Sequence, residues 1–225
     1  MTLDYVVKVK RSRRKTGSIY IERDGSVSVL VPESMDDAQV EALLKQYEYR
    51  IHKYQAKRQL LNEAAVIREA VNGQAFLYLG RNYYLQFSPE VDQVVFRGRY
   101  LYAPPASNDD LREMFRVFYR NRGLDYIVPR VQRFAESMGV QVDTVAIIEL
   151  KNRWASCSVK RPKVNFHWKV MMAPGTVVNY LIVHELAHLK HRRHDASFWN
   201  EVDRVLPDYQ KQVAWLKQYG AGLSV

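Results

Sequence analysis

Gly175-Thr176-Val177-Val178-Asn179-Tyr180-Leu181-Ile182-Val183-His184-Glu185-Leu186-Ala187-His188-Leu189-Lys190 decides how the last third of the chain is read. Its apolar positions run almost all the way round a helix, which predicts a buried one. Ala173-Pro174-Gly175-Thr176 opens it. Three ionisable groups interrupt the apolar run: His184, Glu185 and His188. Two histidines four residues apart on a helix project to one side, about 40° apart and roughly 6 Å along the axis. Both imidazoles can then reach one metal ion. Burying such groups without a partner is costly, and a metal removes the cost. Glu185 stands one residue on, where it reaches a water at the metal and not the metal itself. Zinc acidifies such a water and a carboxylate beside it takes the proton. The spacing therefore predicts one zinc ion per chain, with Glu185 as general base.

A catalytic zinc site has three protein ligands and one open position, so a third ligand must come from outside the pair. His191 lies seven residues after His184, within ~20° of it on an unbroken helix, but ~10.5 Å along the axis. One ion with bonds of ~2.0–2.1 Å can hardly be held by both. On a continuous helix His194 would point ~80° away and lie ~15 Å along. It can bind only if the helix breaks first. Asp195 is a good N-cap for a new helix, so the residues before it are expected to be non-helical. The chain thus points to His194, at the spacing of the HExxHxxGxxH peptidases, with His191 where their glycine stands. Cys157 and Glu201 are the weaker candidates. Arg153 and His167, from the segment before the metal helix, are the candidate substrate-binding residues.

The 225 residues are enough for one or two domains, and with 47% hydrophobic residues a real core can form. One cysteine, Cys157, permits no internal disulfide and suits a reducing compartment. No stretch reads as a signal peptide or membrane span, so a cytoplasmic protein without membrane contact is expected. Ser18 to Val31 alternates around Arg23-Asp24-Gly25, a hairpin signal. Asp36 can cap a helix through Val40, Leu43, Leu44, Tyr47 and Ile51, with a solvated far end at Lys53 to Arg58. Short strands are expected over 76–79, 83–87, 94–96 and 100–102. Pro104-Pro105 punctuates the chain there. This divides it into a β-rich N-terminal region with a long helix, 1–105, and a C-terminal domain, 106–225. Leu111, Phe115, Phe118 and Arg122 mark a helix face, with Gly139 as a stop. Strands over 145–150 and 164–170 flank Arg153 to Ser158. Asp195 caps a helix that Pro207 ends, and Trp215, Leu216 and Tyr219 lie on a last one.

The net charge is +10. A basic balance favours a polyanionic partner. The densest run holds Arg11, Arg13, Arg14 and Lys15, and Arg112, Arg116 and Arg120 recur every four residues as a helix stripe. These are the candidate contacts to DNA or RNA, which would steer a peptidase to nucleic-acid-bound proteins.

On Arg11 to Thr16, Leu77 to Gly80, Arg153 to Ser158, Val164 to Lys169 with Ala173-Pro174, His184 to His188 and His194 to Trp199, the chain resembles the YgjP-like metallopeptidase family. That family is related to the SprT-type and WLM-type zinc peptidases. The resemblance covers nearly the whole chain. It implies zinc on His184, His188 and His194, Glu185 as base, and an α+β fold whose C-terminal core is zincin-like. Ala155 stands where glycine is usual, His167 where asparagine is, and Asp195 where serine is. Two other functions fit the residues: a nucleic-acid-binding protein with structural zinc, against which Glu185 speaks, and a zinc amidohydrolase acting on non-peptide amides.

Overall fold

A central strand with Val27, Val29 and Val31 buried organises the first sheet. β1 (Val7–Ser12), β2 (Ser18–Ile21) and β3 (Val27–Pro32) are ordered β1-β3-β2, with β1 parallel and β2 antiparallel to β3. The computed structural model describes residues 7–22, 26–63, 68–151 and 153–225, with backbone only over 56–63. The expected turn at Arg23-Asp24-Gly25 lies outside the described residues, and the half of the charged end at 56–58 lies outside the described side chains. The β2–β3 pairing that the turn would join is present. α1 (Asp37–Glu63) starts on a reciprocal cap: Gln39 N–H donates to Asp36 Oδ1 (2.7 Å), and the Gln39 side chain accepts from the Asp36 N–H (3.0 Å). Val40, Leu44 and Ile51 pack with Val27, Val29 and Val31 as a small core of their own. Tyr47, expected on that face, is exposed.

The second sheet is ordered β4-β5-β7-β6, from β4 (Ala75–Tyr78), β5 (Arg81–Phe87), β6 (Val95–Arg97) and β7 (Tyr100–Ala103). Leu79 and Gly80, both at positive φ, make the two-residue β4–β5 turn. That turn docks on the chain just before the helix that starts at Gly175. Leu79 N–H donates to Met171 O (2.7 Å) and Gly80 N–H to Met172 O (3.1 Å).

α2 (Asn108–Met138) is capped by Ser107 and closed by Gly139 at φ 64°. Its buried face, Leu111, Phe115, Phe118 and Tyr119, packs on β4 to β7. Phe76 stacks on Phe115 at 4.2 Å, and the Tyr119 hydroxyl donates to Leu77 O at 2.6 Å. This contact corrects the boundary set near residue 105. The compact units are Met1–Ala65 and Val66–Val225. Strands β4 to β7 share one core with everything after them, because their apolar faces have α2 to bury against. Pro104-Pro105 ends a strand and does not separate domains.

The third sheet is β8-β10-β9, from β8 (Thr144–Ile148), β9 (Ala155–Ser158) and β10 (Lys163–His167). Two expectations change here. Ala155 to Ser158, taken as a connection, is an edge strand antiparallel to β10. The strand expected to reach Val170 ends at His167, and a 3₁₀ turn, Trp168–Met172, follows. The His167 ring drives that switch: its Nδ1 accepts from the Lys169 N–H at 3.1 Å and caps the turn. α3 (Gly175–Lys190), α4 (Ala196–Val205) and α5 (Tyr209–Tyr219) complete the chain.

Candidate metal centre

α3 is the buried helix its sequence requires: Val177, Val178, Leu181, Ile182, Val183, Leu186 and Ala187 are all in the core. It stops at Lys190, and His191 leaves helical geometry with φ −123° and ψ 111°. Asp195 then caps α4, accepting from the Phe198 N–H at 3.1 Å. The turn between the helices carries His194 back over α3, as the N-cap signal required.

His184, His188 and His194 each bring a ring nitrogen within 4.8 Å of the others. Nε2 of His194 is 3.1 Å from Nε2 of His184. Two nitrogens on one tetrahedral zinc at ~2.0–2.1 Å would stand roughly 3.3 Å apart, so the spacing suits a shared ion. The far side of each helical ring is occupied. His184 Nδ1 lies 3.3 Å from the Tyr180 hydroxyl, and His188 Nδ1 lies 3.1 Å from the His191 carbonyl oxygen. With its proton on Nδ1, each ring donates outward and turns the Nε2 lone pair to the common centre. The surroundings also disfavour charge on the two helical rings, as metal ligation needs. Burial, with His188 and His194 adding, pulls His184 down to about 3. Burial lowers His188 as well. Phe198, fully buried, lies against all three rings at centroid distances of 4.6 to 5.0 Å. His194, the exposed member, stacks on Trp199. This donor set fits zinc.

Glu185 is buried on the same helix and lines the same cleft as the histidines. Burial pushes its carboxyl up to about 7, while the charge of Arg153 acts the other way. The cleft encloses ≈ 490 Å³. One wall is Arg153, Ala155, Ser156, Cys157 and Val159, on and around the edge strand β9; Arg192 and His194 stand in the α3–α4 turn. β9, missed as a strand, and Arg192 are the additions that the structure makes to the site. Ser-Cys-Ser has too little apolar alternation to declare a strand, and nothing in the spacing of Arg192 aims it at the cleft.

The remaining candidates fall elsewhere. His167 is fully buried and does not line the cleft. Its Nε2 donates to Glu149 Oε1 at 2.9 Å, and Glu149 also accepts from the Trp168 indole N–H. The placement as a substrate-binding residue is therefore corrected: both ring nitrogens of His167 are spent on the fold. Glu149 itself escaped notice because the β8–β10 register, His167 opposite Ile148, is what brings it there. Burial, with the charge of Glu185, pushes the Cys157 thiol up to about 11, and the thiolate that would bind metal is suppressed. Glu201 pairs with Lys190 (3.1 Å) and Arg204 (2.9 Å). Of the basic candidates, Arg11 pairs with Asp37 at 2.5 Å, Arg14 donates to Ser18 Oγ at 2.6 Å, Arg112 pairs with Asp109 at 3.2 Å, and Arg116 pairs with Glu113. Arg13, Lys15 and Arg120 are exposed.

A histidine cluster beside a buried carboxylate, opening on a cleft with a free strand edge, suits metal-dependent hydrolysis of a polypeptide, and the comparisons place the chain in that class: it is a metallopeptidase-family protein. The matching family model is described as YgjP-like, metallopeptidase domain. It spans residues 15–219, and the chain belongs to that family. The crystal structure of the metallopeptidase zymogen of Pyrococcus abyssi abylysin is similar over 38% of this chain and 87% of that one, at 28% identity and a TM-score of 0.36. That of the metallopeptidase zymogen of Methanocaldococcus jannaschii jannalysin is similar over 39% of this chain and 93% of that one, at 22% identity and a TM-score of 0.35. Comparison with curated proteins gives no match. Among the described residues, no helix is long and apolar enough to cross a membrane.

Proposed function

We propose that the chain is a zinc-dependent peptidase, with one zinc ion held by His184, His188 and His194 and with Glu185 as general base in a zincin-like core. The observation that carries this is the convergence of three imidazoles within 4.8 Å, beside a buried carboxylate on α3 that opens on the same cleft. Zinc bound there would supply a Lewis acid that polarises the scissile carbonyl and acidifies water. Glu185 takes the proton of the attacking water and returns it to the leaving amine. Its low-dielectric setting holds the carboxyl near neutrality, so that it can both accept and give back a proton.

β9 orients the substrate. It is an edge strand of its sheet, and its outer main-chain groups can pair with an extended peptide. The fully buried Phe198 keeps the histidine rings aligned. The test is metal analysis coupled to cleavage of a denatured protein, with the Glu185→Gln variant as control. Zinc near one per chain, with cleavage by the wild type alone, is expected. Absence of zinc after reconstitution would end this reading, and turnover of small non-peptide amides without cleavage of polypeptide would replace the substrate class.

A further inference from the structure

The cleft's charges are unbalanced. Arg153 and Arg192 are exposed and line it, while Glu185, the single carboxylate lining it among the described residues, is only 6% exposed. Among the described residues neither guanidinium is in an ion pair. Nearby cations are spent differently, since Lys190 and Arg204 both hold Glu201. The two arginines stand on different elements, one just before β9 and one in the α3–α4 turn. Lys160 and Arg161, also exposed, follow the other end of β9. A strand advances ~3.4 Å per residue, so a peptide extended along β9 meets positive charge at both ends of its bound stretch.

Resting on the peptidase reading, we propose that this cleft selects anionic stretches of extended polypeptide, through Arg153 and Arg192. Unpaired cations in a concave site focus the field, draw in oppositely charged chains and repel basic ones. A nucleic acid would feel the same charge. Binding a single strand, however, relies on aromatic faces on which bases stack, and among the described residues no Phe, Tyr or Trp lines the cleft. A peptide needs none, because the free edge of β9 supplies main-chain partners.

The test uses the full chain in two arms. In the binding arm, zinc-loaded Glu185→Gln protein is titrated into fluorescein-labelled decapeptides of alternating Ala and Glu, Ala and Gln, or Ala and Lys, read by anisotropy. The Glu peptide is expected to bind tightest and the Lys peptide weakest, with the difference fading by about 0.5 M salt. Adding Arg153→Gln or Arg192→Gln should each weaken the Glu peptide by roughly two- to fivefold, the range of an exposed charge pair. Arg99→Glu, an exposed residue outside the cleft, controls for net charge and should not do so to the same extent. In the cleavage arm, wild-type enzyme acts on a random peptide library. Asp and Glu should be enriched near the cut bonds, and the enrichment should fall in the Arg153→Glu and Arg192→Glu variants.

Equal binding of the three peptides, or a preference unchanged by both arginine substitutions, overturns the proposal. So does a labelled oligothymidylate that binds more tightly than the Glu peptide and is weakened by the same two variants. Cleavage without acidic preference overturns the proposal and leaves the peptidase standing. Acidic preference in binding with no cleavage of any peptide does the reverse.

Discussion

The main-chain carbonyl of His191 lies 3.1 Å from Nδ1 of His188. It reaches that position because α3 ends there, with the His191 N–H still bonded to Ala187 O at 2.9 Å. The residue therefore serves the site through its backbone, and its imidazole is outside the cluster formed by the other three histidines. His191→Ala is expected to keep zinc affinity near the wild-type value. His194→Ala should lower it by more than the ~10–100-fold typical of losing an outer-shell partner. Competition with a zinc-binding dye measures both. Loss of metal from the His191 variant and retention by the His194 variant would show that the wrong histidine has been chosen.

Glu185→Gln separates binding from chemistry. The amide keeps the shape of the side chain and removes its ability to take a proton. Zinc content should be unchanged, and cleavage of denatured protein should fall by about 10²–10⁴-fold. Wild-type turnover by this variant would remove Glu185 as the base.

If the proposed site is right, zinc should also stabilise the fold, because the three histidines that would hold it come from two elements, α3 and the turn that follows. At a free concentration 100-fold above Kd, the gain is about 2.7 kcal/mol. Thermal melting with zinc and with chelator reads it. The same shift in a His184→Ala variant would mean that the ion binds somewhere else.

Glu149 braces the end of β10. It accepts from His167 and from the Trp168 indole, where β10 turns toward α3. Glu149→Ala leaves the fully buried His167 without that acceptor and should cost about 1–3 kcal/mol in chemical denaturation. Zinc affinity of the folded variant should change little. A severe loss of zinc affinity with unaltered stability would put Glu149 in the metal site itself.

Gly80 has φ 77°, and a Cβ there would lie 3.0 Å from Pro174 Cγ and 3.1 Å from Pro174 Cα. An alanine therefore meets both left-handed backbone strain, ~1–2 kcal/mol, and the backbone just before α3. Gly80→Ala should destabilise by about 2 kcal/mol or more. Unchanged stability would show that this turn is free to move away from α3.

Elements whose signals are local could be read from the residues alone. An apolar run at helical spacing makes α3 and aims His184 and His188 to one side. Asp195 as an N-cap breaks the helix and brings His194 round, and Gly139 stops α2. Each of these is settled within a few residues by backbone geometry and capping hydrogen bonds. Tertiary structure decided what depends on pairing between distant segments. The register of β8 and β10 gives His167 to Glu149 and takes it from the cleft. β10 makes an edge strand of Ala155 to Ser158, whose own side chains do not declare one. α2 draws β4 to β7 into the second unit, since an amphipathic strand goes where its apolar face can be buried, and Pro104-Pro105 cannot outweigh that. The orientation of Arg192 is of the same kind: a surface charge has no periodicity, and only the folded turn points it into the cleft.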